Sequence, residues 1–334
     1  MTPEDALERY IANHQVDGIA YTRHDHGHYW TDDDNALYTG VMLGAMAYRW
    51  AADPSDEKLR AVRMCLRGTW LLMTATGHPG ILTRRAMPNE LLWKFGGSAF
   101  TEGKPTGEHD GYTYQLKTTR DQLTGVLFGL ACVRGLMWGM DQQIDDSVTA
   151  QVAMLHSAIS KRSWTLRDHN NDSHGTSAAK LDAPLRLLLK ALAHSVGIID
   201  RPGHEGFFDW IRVSTFHYNV RIQNAYSHGL NAMAAHGLWL LGDYHRHYDD
   251  VKQWMSIIES VIRHEHNPFW QMLLDFKLDE EGEWRWEESG IEPYTRFFKW
   301  NRYRKELSLR LDTQGPMIDY MVVAYMNDFW KERA

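Results

Sequence analysis

The chain is 334 residues long, 43% hydrophobic and 24% charged, which gives apolar material for a domain-sized core and excludes an intrinsically disordered chain. Its net charge of −7, with no basic stripe in the sequence, argues against the phosphate-neutralising surface that nucleic-acid binding requires. No apolar run reaches the length of a membrane span, and the opening MTPEDALERY is acidic and amphipathic rather than signal-like, so a soluble cytoplasmic chain is expected.

Apolar residues at spacings of three and four predict helices over Asn35–Ala51, Lys58–Thr76, Gln122–Met140, Asp145–Ser160, Ala178–Val196, Ser227–Leu241, Val251–Arg263 and Pro316–Trp330. Thr2–Asn13, Gly206–Phe216 and Pro268–Phe276 are shorter candidates. Thr31-Asp-Asp-Asp34 and Thr118-Thr-Arg-Asp121 stand where side-chain oxygens accept the orphan N–H groups of helix starts. Gly77, Gly197 and Gly242 mark stops. The stretch from Gly77 to Thr119 reads as a long functional loop carrying Arg84, Trp93 and Tyr112. Nothing alternates convincingly as a strand, although Trp284–Trp286 suggests a short exposed ribbon. Cys65 and Cys132 fall inside apolar helical runs and read as buried thiols.

No linker divides the chain. Paired helices joined by alternately short and long connections predict a single all-α domain over residues 1–334, an (α/α)6 toroid whose loops build a cleft at one end. The runner-up, an open α-solenoid, calls for a clearer repeat.

Polar chemistry gathers in four segments. His24-Asp-His-Gly-His28 offers alternating histidines to a transition metal, or three exposed side chains; with no metal required elsewhere, none is assigned. Beside it, Asp32-Asp33-Asp34 holds more carboxylates than one helix cap needs. In Arg120-Asp121-Gln122 a carboxylate at a helix start suits the helix dipole, but Asp34 and Asp121 would also face each other across a mouth if both helices are inner ones. Paired carboxylates are what acid/base glycoside hydrolysis uses. The third and fourth segments, Arg167–Thr176 and Arg221–Asn231, are polar runs leading into apolar helices, and polar groups entering a packed region need partners. The chain's 14 Trp and 15 Tyr suit stacking on sugar faces as well as core packing.

Two resemblances attach to these segments. Asn170-Asn171 with His174-Gly175-Thr176 resembles the Asn-Asn-His-Gly-Thr signature of alginate-lyase-like polysaccharide lyases, interrupted here by Asp172 and Ser173. Arg221, Tyr226-Ser227 and Leu230-Asn231 are similar to the segment that supplies such lyases with an arginine and a catalytic tyrosine. Asp33–Gly40, Thr76–Gly80 with Arg84, Thr119–Gly125 and Asn267–Trp270 resemble a group of bacterial α/α-toroid domains, a likeness that bears on fold rather than activity.

The lyase resemblance implies β-elimination at a uronate, without a cofactor. Asn171 and Arg221 would neutralise the uronate carboxylate and stabilise the enolate-like intermediate, with Tyr226 and His174 as base and acid. Arg84, Trp93, Tyr112, Arg120, Asn170 and His228 would line a mouth for an oligo- or polysaccharide. The alternatives are a glycoside hydrolase with Asp34 and Asp121 as its acid/base pair, and a non-catalytic glycan-binding or structural toroid within a larger assembly.

Overall fold

Two helices that are apolar around their whole circumference sit at the centre of a computed structural model of the chain. It describes residues 2–23, 29–30, 34–91, 107–116, 118–167, 181, 183–200, 225–242, 254–260, 273, 276–278, 284–286 and 314–331. After α1 (Pro3–Asn13), α2 (Asn35–Ala52) and α4 (Arg120–Met137) are buried on nearly every face, as helices without a polar stripe must be. The amphipathic α3 (Asp56–Thr74) and α5 (Gln142–Ser160) each bury one face. Their starts are fixed by capping: Ser55 Oγ accepts Lys58 N–H at 3.4 Å and Asp141 Oδ1 accepts Ile144 N–H at 2.9 Å.

α6 (Ala183–Ser195), α7 (Ala225–Leu241) and α8 (Gln314–Lys331) complete the long helices. α8, α2, α4 and α7 touch in that order; α3 packs on α2 and α5, while α6 packs on α4, α5 and α7. The described residues are thus mostly helical, as periodicity predicts, with boundaries displaced by a few residues. Of the shorter candidates, 206–216 lies outside the described residues; within 268–276, Leu273 is helical and Phe276 begins a strand. Gly77, Gly197 and Gly242 all take positive φ at their helix ends. Cys65 and Cys132 are buried free thiols, with burial pushing Cys65 up to about 12.

α2 and α4 run parallel and nearly touch. A methyl on Gly40 would stand 2.2 Å from the Gly125 carbonyl, one on Gly125 2.3 Å from Leu37 O, and one on Gly129 2.2 Å from Gly40 O. Gly40, Gly125 and Gly129 thus bring backbone against backbone, while Gly44 makes room for the Phe128 ring. α7 also runs parallel to α4: Phe128 meets His236, Ala131 meets Gly237 and Gly135 meets Leu240.

The expected loop between Gly77 and Thr119 contains instead an antiparallel sheet of order β5-β7-β6, from β5 (Arg85–Pro88), β6 (Gly107–His109) and β7 (Tyr112–Gln115). Its strands are too short to show a period, and β5 is buried at all four positions, so no alternation marks it. Asp110 and Gly111, at φ 48° and 77°, turn β6 into β7. Asp17 and Gly18 make the same kind of turn between β1 (Gln15–Val16) and β2 (Ile19–Ala20), which precede the β3 (Thr22–Arg23) and β4 (Tyr29–Trp30) pair. The Trp284–Trp286 ribbon is paired with Phe276–Leu278 as expected of a hairpin. Among the described residues no helix is long and apolar enough to cross a membrane.

Between α2 and α7, Tyr48 Oη lies 2.6 Å from His236 Nε2, and His236 Nδ1 lies 3.2 Å from Leu273 O. A carbonyl only accepts, so Nδ1 carries the proton and Nε2 accepts from the phenol. Burial drives the His236 pKa down to about 3 from 6.5, so the folded state holds the ring neutral where the unfolded chain protonates it. The stability it contributes is complete above pH 6.5 and lost as pH falls towards 3, at up to about 1.4 kcal/mol per pH unit. Urea titrations at pH 7 and pH 5 are expected to show a smaller loss for His236→Gln than for the parent; equal losses would rule His236 out as their source.

Candidate functional site

The first turns of α2 and α4 meet at one end of the parallel pair. Asp34, the residue before α2, receives Gln122 Nε2–H at 2.6 Å on Oδ1, and Arg84 Nη2 lies 3.5 Å from the same oxygen. Gln122 is fully buried, and its Oε1 accepts Thr119 N–H at 2.7 Å. The Thr119 hydroxyl lies 2.6 Å from that Oε1 and also against Asp121 Oδ1, so its single proton serves one acceptor at a time. Asp34, Gln122, Thr119 and Asp121 therefore form one polar chain joining two carboxylates, both only partly covered.

Local folding explains the placement. Asp34 makes no side-chain cap bond, which leaves its carboxylate for Gln122 and Arg84, while its carbonyl accepts Tyr38 N–H at 3.0 Å. Arg84 is held from both sides by its backbone: its N–H donates to Gln115 O at 2.9 Å, and its carbonyl accepts Ala36 N–H at 3.3 Å. The sheet is thereby fastened to the first turn of α2, and the Arg84 side chain is 19% exposed.

Asn35, beside Asp34, is fully buried, and neither its Oδ1 nor its Nδ2 has a hydrogen-bond partner among the described residues. An unmet buried amide costs about 1–3 kcal/mol, so stability does not account for its presence. Asn35→Leu is expected to raise stability by about 1–2 kcal/mol while lowering ligand binding or turnover. A destabilised variant with undiminished binding would instead make Asn35 a structural residue.

The sequence-predicted residues fall into three groups. Asp34, Asp121 and Arg84 come together as described, with Arg120 in the same first turn of α4. Tyr226 and His228 lie in the first turn of α7. Carrying the α4–α7 pairing back along the two parallel helices puts Tyr226 level with Arg120 and Asp121, at the end where Asp34 sits. Trp93, Asn170, Asn171, His174 and Arg221 lie outside the described residues, as do His24, His26 and His28. Among the described residues no three His, Cys, Asp or Glu side chains gather as for a metal ion.

Tyr112 is placed in different company. Its hydroxyl donates to Asp17 Oδ2 at 2.8 Å, and Arg67 Nη2 lies 3.1 Å from Asp17 Oδ1. Burial first, and the neighbouring Asp17 second, push Tyr112 up to about 12. Sequence reasoning gave no role to Gln122, Asn35 or Thr119. The Thr-x-x-Gln spacing of Thr119 and Gln122, a capping-box pattern, was the available sign that this glutamine turns back on its own helix start.

Comparison of the chain with protein-family models, with curated proteins and with solved structures finds no match.

Proposed function

We propose that the chain is a carbohydrate-active enzyme on an (α/α)6 toroid, a lyase that cleaves uronate-containing glycan by β-elimination. The reading rests on the convergence of α2, α4 and α7, three parallel helices whose first turns bring Asp34, Asp121 and Tyr226 to one level. Inner helices of a toroid are parallel in this way, and the order of contact α8, α2, α4, α7 supports reading them as neighbours on an inner arc. Helix N-termini carry partial positive charge, and Arg84 and Arg120 add cations, so this end suits a ligand carboxylate.

In the elimination, a base removes the C5 proton of the uronate, the electrons form the C4–C5 double bond, and the C4–oxygen bond breaks as its oxygen takes a proton. Tyr226, with His174, is the proposed base and acid, while Asn171 and Arg221 neutralise the substrate carboxylate. Asp34 is then an acceptor for sugar hydroxyls, fixed by Gln122 and Arg84. No cofactor is called for.

A second reading, glycoside hydrolysis by Asp34 and Asp121, is favoured by the polar chain that joins the two carboxylates through Gln122 and Thr119. Mass spectrometry of the cleavage products separates the two. Elimination leaves the fragment with the new non-reducing end unsaturated and one water lighter than hydrolysis does, while the fragment with the new reducing end is the same in both. New non-reducing-end fragments of full hydrolytic mass would overturn the lyase assignment in favour of the carboxylate pair, and an intact glycan would leave binding alone as the function of this helix end.

A further inference from the structure

A concavity lies between α3 and α5, lined by side chains apart from Asp34, Arg84 and Asp121. It has about 220 Å³ of free space over Leu66, with Arg63, Arg67 and Trp70 on one wall and Gln143 and Ser147 on the other. Residues 60, 63, 67 and 70 fall on one face of α3 at spacings of three and four, so Arg60, Arg63, Arg67 and Trp70 form a row with steps of about 5 Å along the helix axis. The Trp70 ring is 38% exposed, a large aromatic left at the surface beside two guanidinium groups.

The arginines are held by built supports. Arg63 Nη2 contacts Asp141 at 2.5 Å; Asp141 caps α5. Slight burial works to raise the Asp141 carboxyl, but Ile144 N–H and the Arg63 guanidinium outweigh it and keep it below the usual carboxylate range. Arg67 pairs with Asp17 at 3.1 Å, and Asp17 also takes the Tyr112 hydroxyl. The turn carrying Asp17 is locked onto α3 at Gly18, where a Cβ would stand 1.9 Å from Met64 O. Each guanidinium spends a donor on its carboxylate and has others to offer, since arginine carries five N–H groups.

We infer that this groove binds a pyranose segment of a glycan chain, with one sugar face against Trp70 and the hydroxyls shared among Arg63, Arg67, Gln143 and Ser147. Sugar hydroxyls both donate and accept, and the walls supply both kinds of group beside an aromatic face. A nucleic acid needs a surplus of cations, whereas Asp17 and Asp141 here offset Arg67 and Arg63. The choice of occupant rests on the glycan reading of the mouth, but the groove does not depend on catalysis there: it is a holding site for a long chain on the outer helices.

The test is affinity electrophoresis of the full chain through gels containing alginate or polygalacturonate, with turnover of short uronate oligosaccharides followed in parallel. Both polysaccharides, or one of them, are expected to retard the parent chain. Trp70→Ala and Arg67→Glu are expected to weaken that retardation about tenfold each, Trp70→Phe to restore most of it, and all three to leave turnover of short substrates unchanged. Because both side chains are substantially exposed, the variants are expected to fold, which far-ultraviolet dichroism checks. Parent-like retardation of Trp70→Ala and Arg67→Glu, no retardation of the parent by either polysaccharide, or tighter binding to a single-stranded oligonucleotide would each overturn the groove assignment. Groove binding without turnover would overturn the enzymatic reading of the mouth and not the groove.

Discussion

Adding one methyl group at Gly125 is expected to cost about 3 kcal/mol of stability. Two effects oppose each other. Alanine is the better helix former, by about 1 kcal/mol over glycine in a helix interior. Its Cβ, however, would lie 2.3 Å from Leu37 O and 2.8 Å from Leu37 Cα, which are backbone atoms of a buried helix that no rotamer change can move aside. Packing therefore decides the sign, and α2 and α4 must separate along a contact that Gly40, Gly125 and Gly129 share. Gly237→Ala is the internal control. Its new methyl would meet Leu188 Cδ1 at 3.1 Å and Ala131 Cβ at 3.2 Å, which are side-chain atoms, so its penalty is expected to be at most about 1 kcal/mol. Urea midpoints with unchanged slopes measure both. A Gly125→Ala protein as stable as the parent would mean that the two helices do not approach as described.

Tyr226→Phe is expected to lower turnover by at least about a hundredfold while leaving the urea midpoint near that of the parent. The phenol is the group assigned to move a proton, and general acid–base catalysis contributes roughly 10²–10⁴-fold, so its removal outweighs the loss of an ordinary hydrogen bond. Asp34→Asn provides the contrast. Under elimination, where Asp34 only holds sugar hydroxyls, its effect falls mainly on KM. Under hydrolysis it removes a catalytic carboxylate and falls on kcat. Full activity in Tyr226→Phe would take this residue out of the mechanism.

The helices were the legible part of the fold. Runs such as Asp56–Thr74 and Gln142–Ser160 carry periodic apolar residues over many turns, and positive-φ glycines mark the ends at Gly77, Gly197 and Gly242. The sheet was not legible from periodicity, because Arg85–Pro88 is four residues long and buried throughout. A different signal was present: Val16-Asp-Gly-Ile19 and His109-Asp-Gly-Tyr112 are Asp-Gly pairs between strand-forming residues, the pattern of a two-residue hairpin turn. The paired Gly-x-x-x-Gly rows of α2 and α4 also announced a close backbone approach, but one row alone says nothing about its partner.

The site was legible as segments and not as an arrangement. Asp34, Arg84 and Asp121 are far apart in sequence and could be grouped only by supposing two inner helices side by side. Arg84 then turned out to reach Asp34 from the end of a sheet that periodicity had not revealed. Tyr112 shows the opposite case. Its place among Arg84 and Trp93 in sequence suggested the same mouth, but the turn at Asp110–Gly111 sends its hydroxyl to Asp17. Gln122 was hidden by its helix, since a buried amide bridging two helix starts has the same local pattern as a capping residue.

The most direct test of the central claim is ultraviolet absorbance in the band of an α,β-unsaturated carboxylate during incubation of the full chain with alginate, polygalacturonate and other uronate polymers. The account predicts a steady rise from conjugated unsaturated uronate, present in the parent and lost in Tyr226→Phe. A flat trace accompanied by new reducing ends would contradict elimination and transfer the chemistry to Asp34 and Asp121. A flat trace with no new ends on any polymer would contradict a glycan-cleaving enzyme altogether.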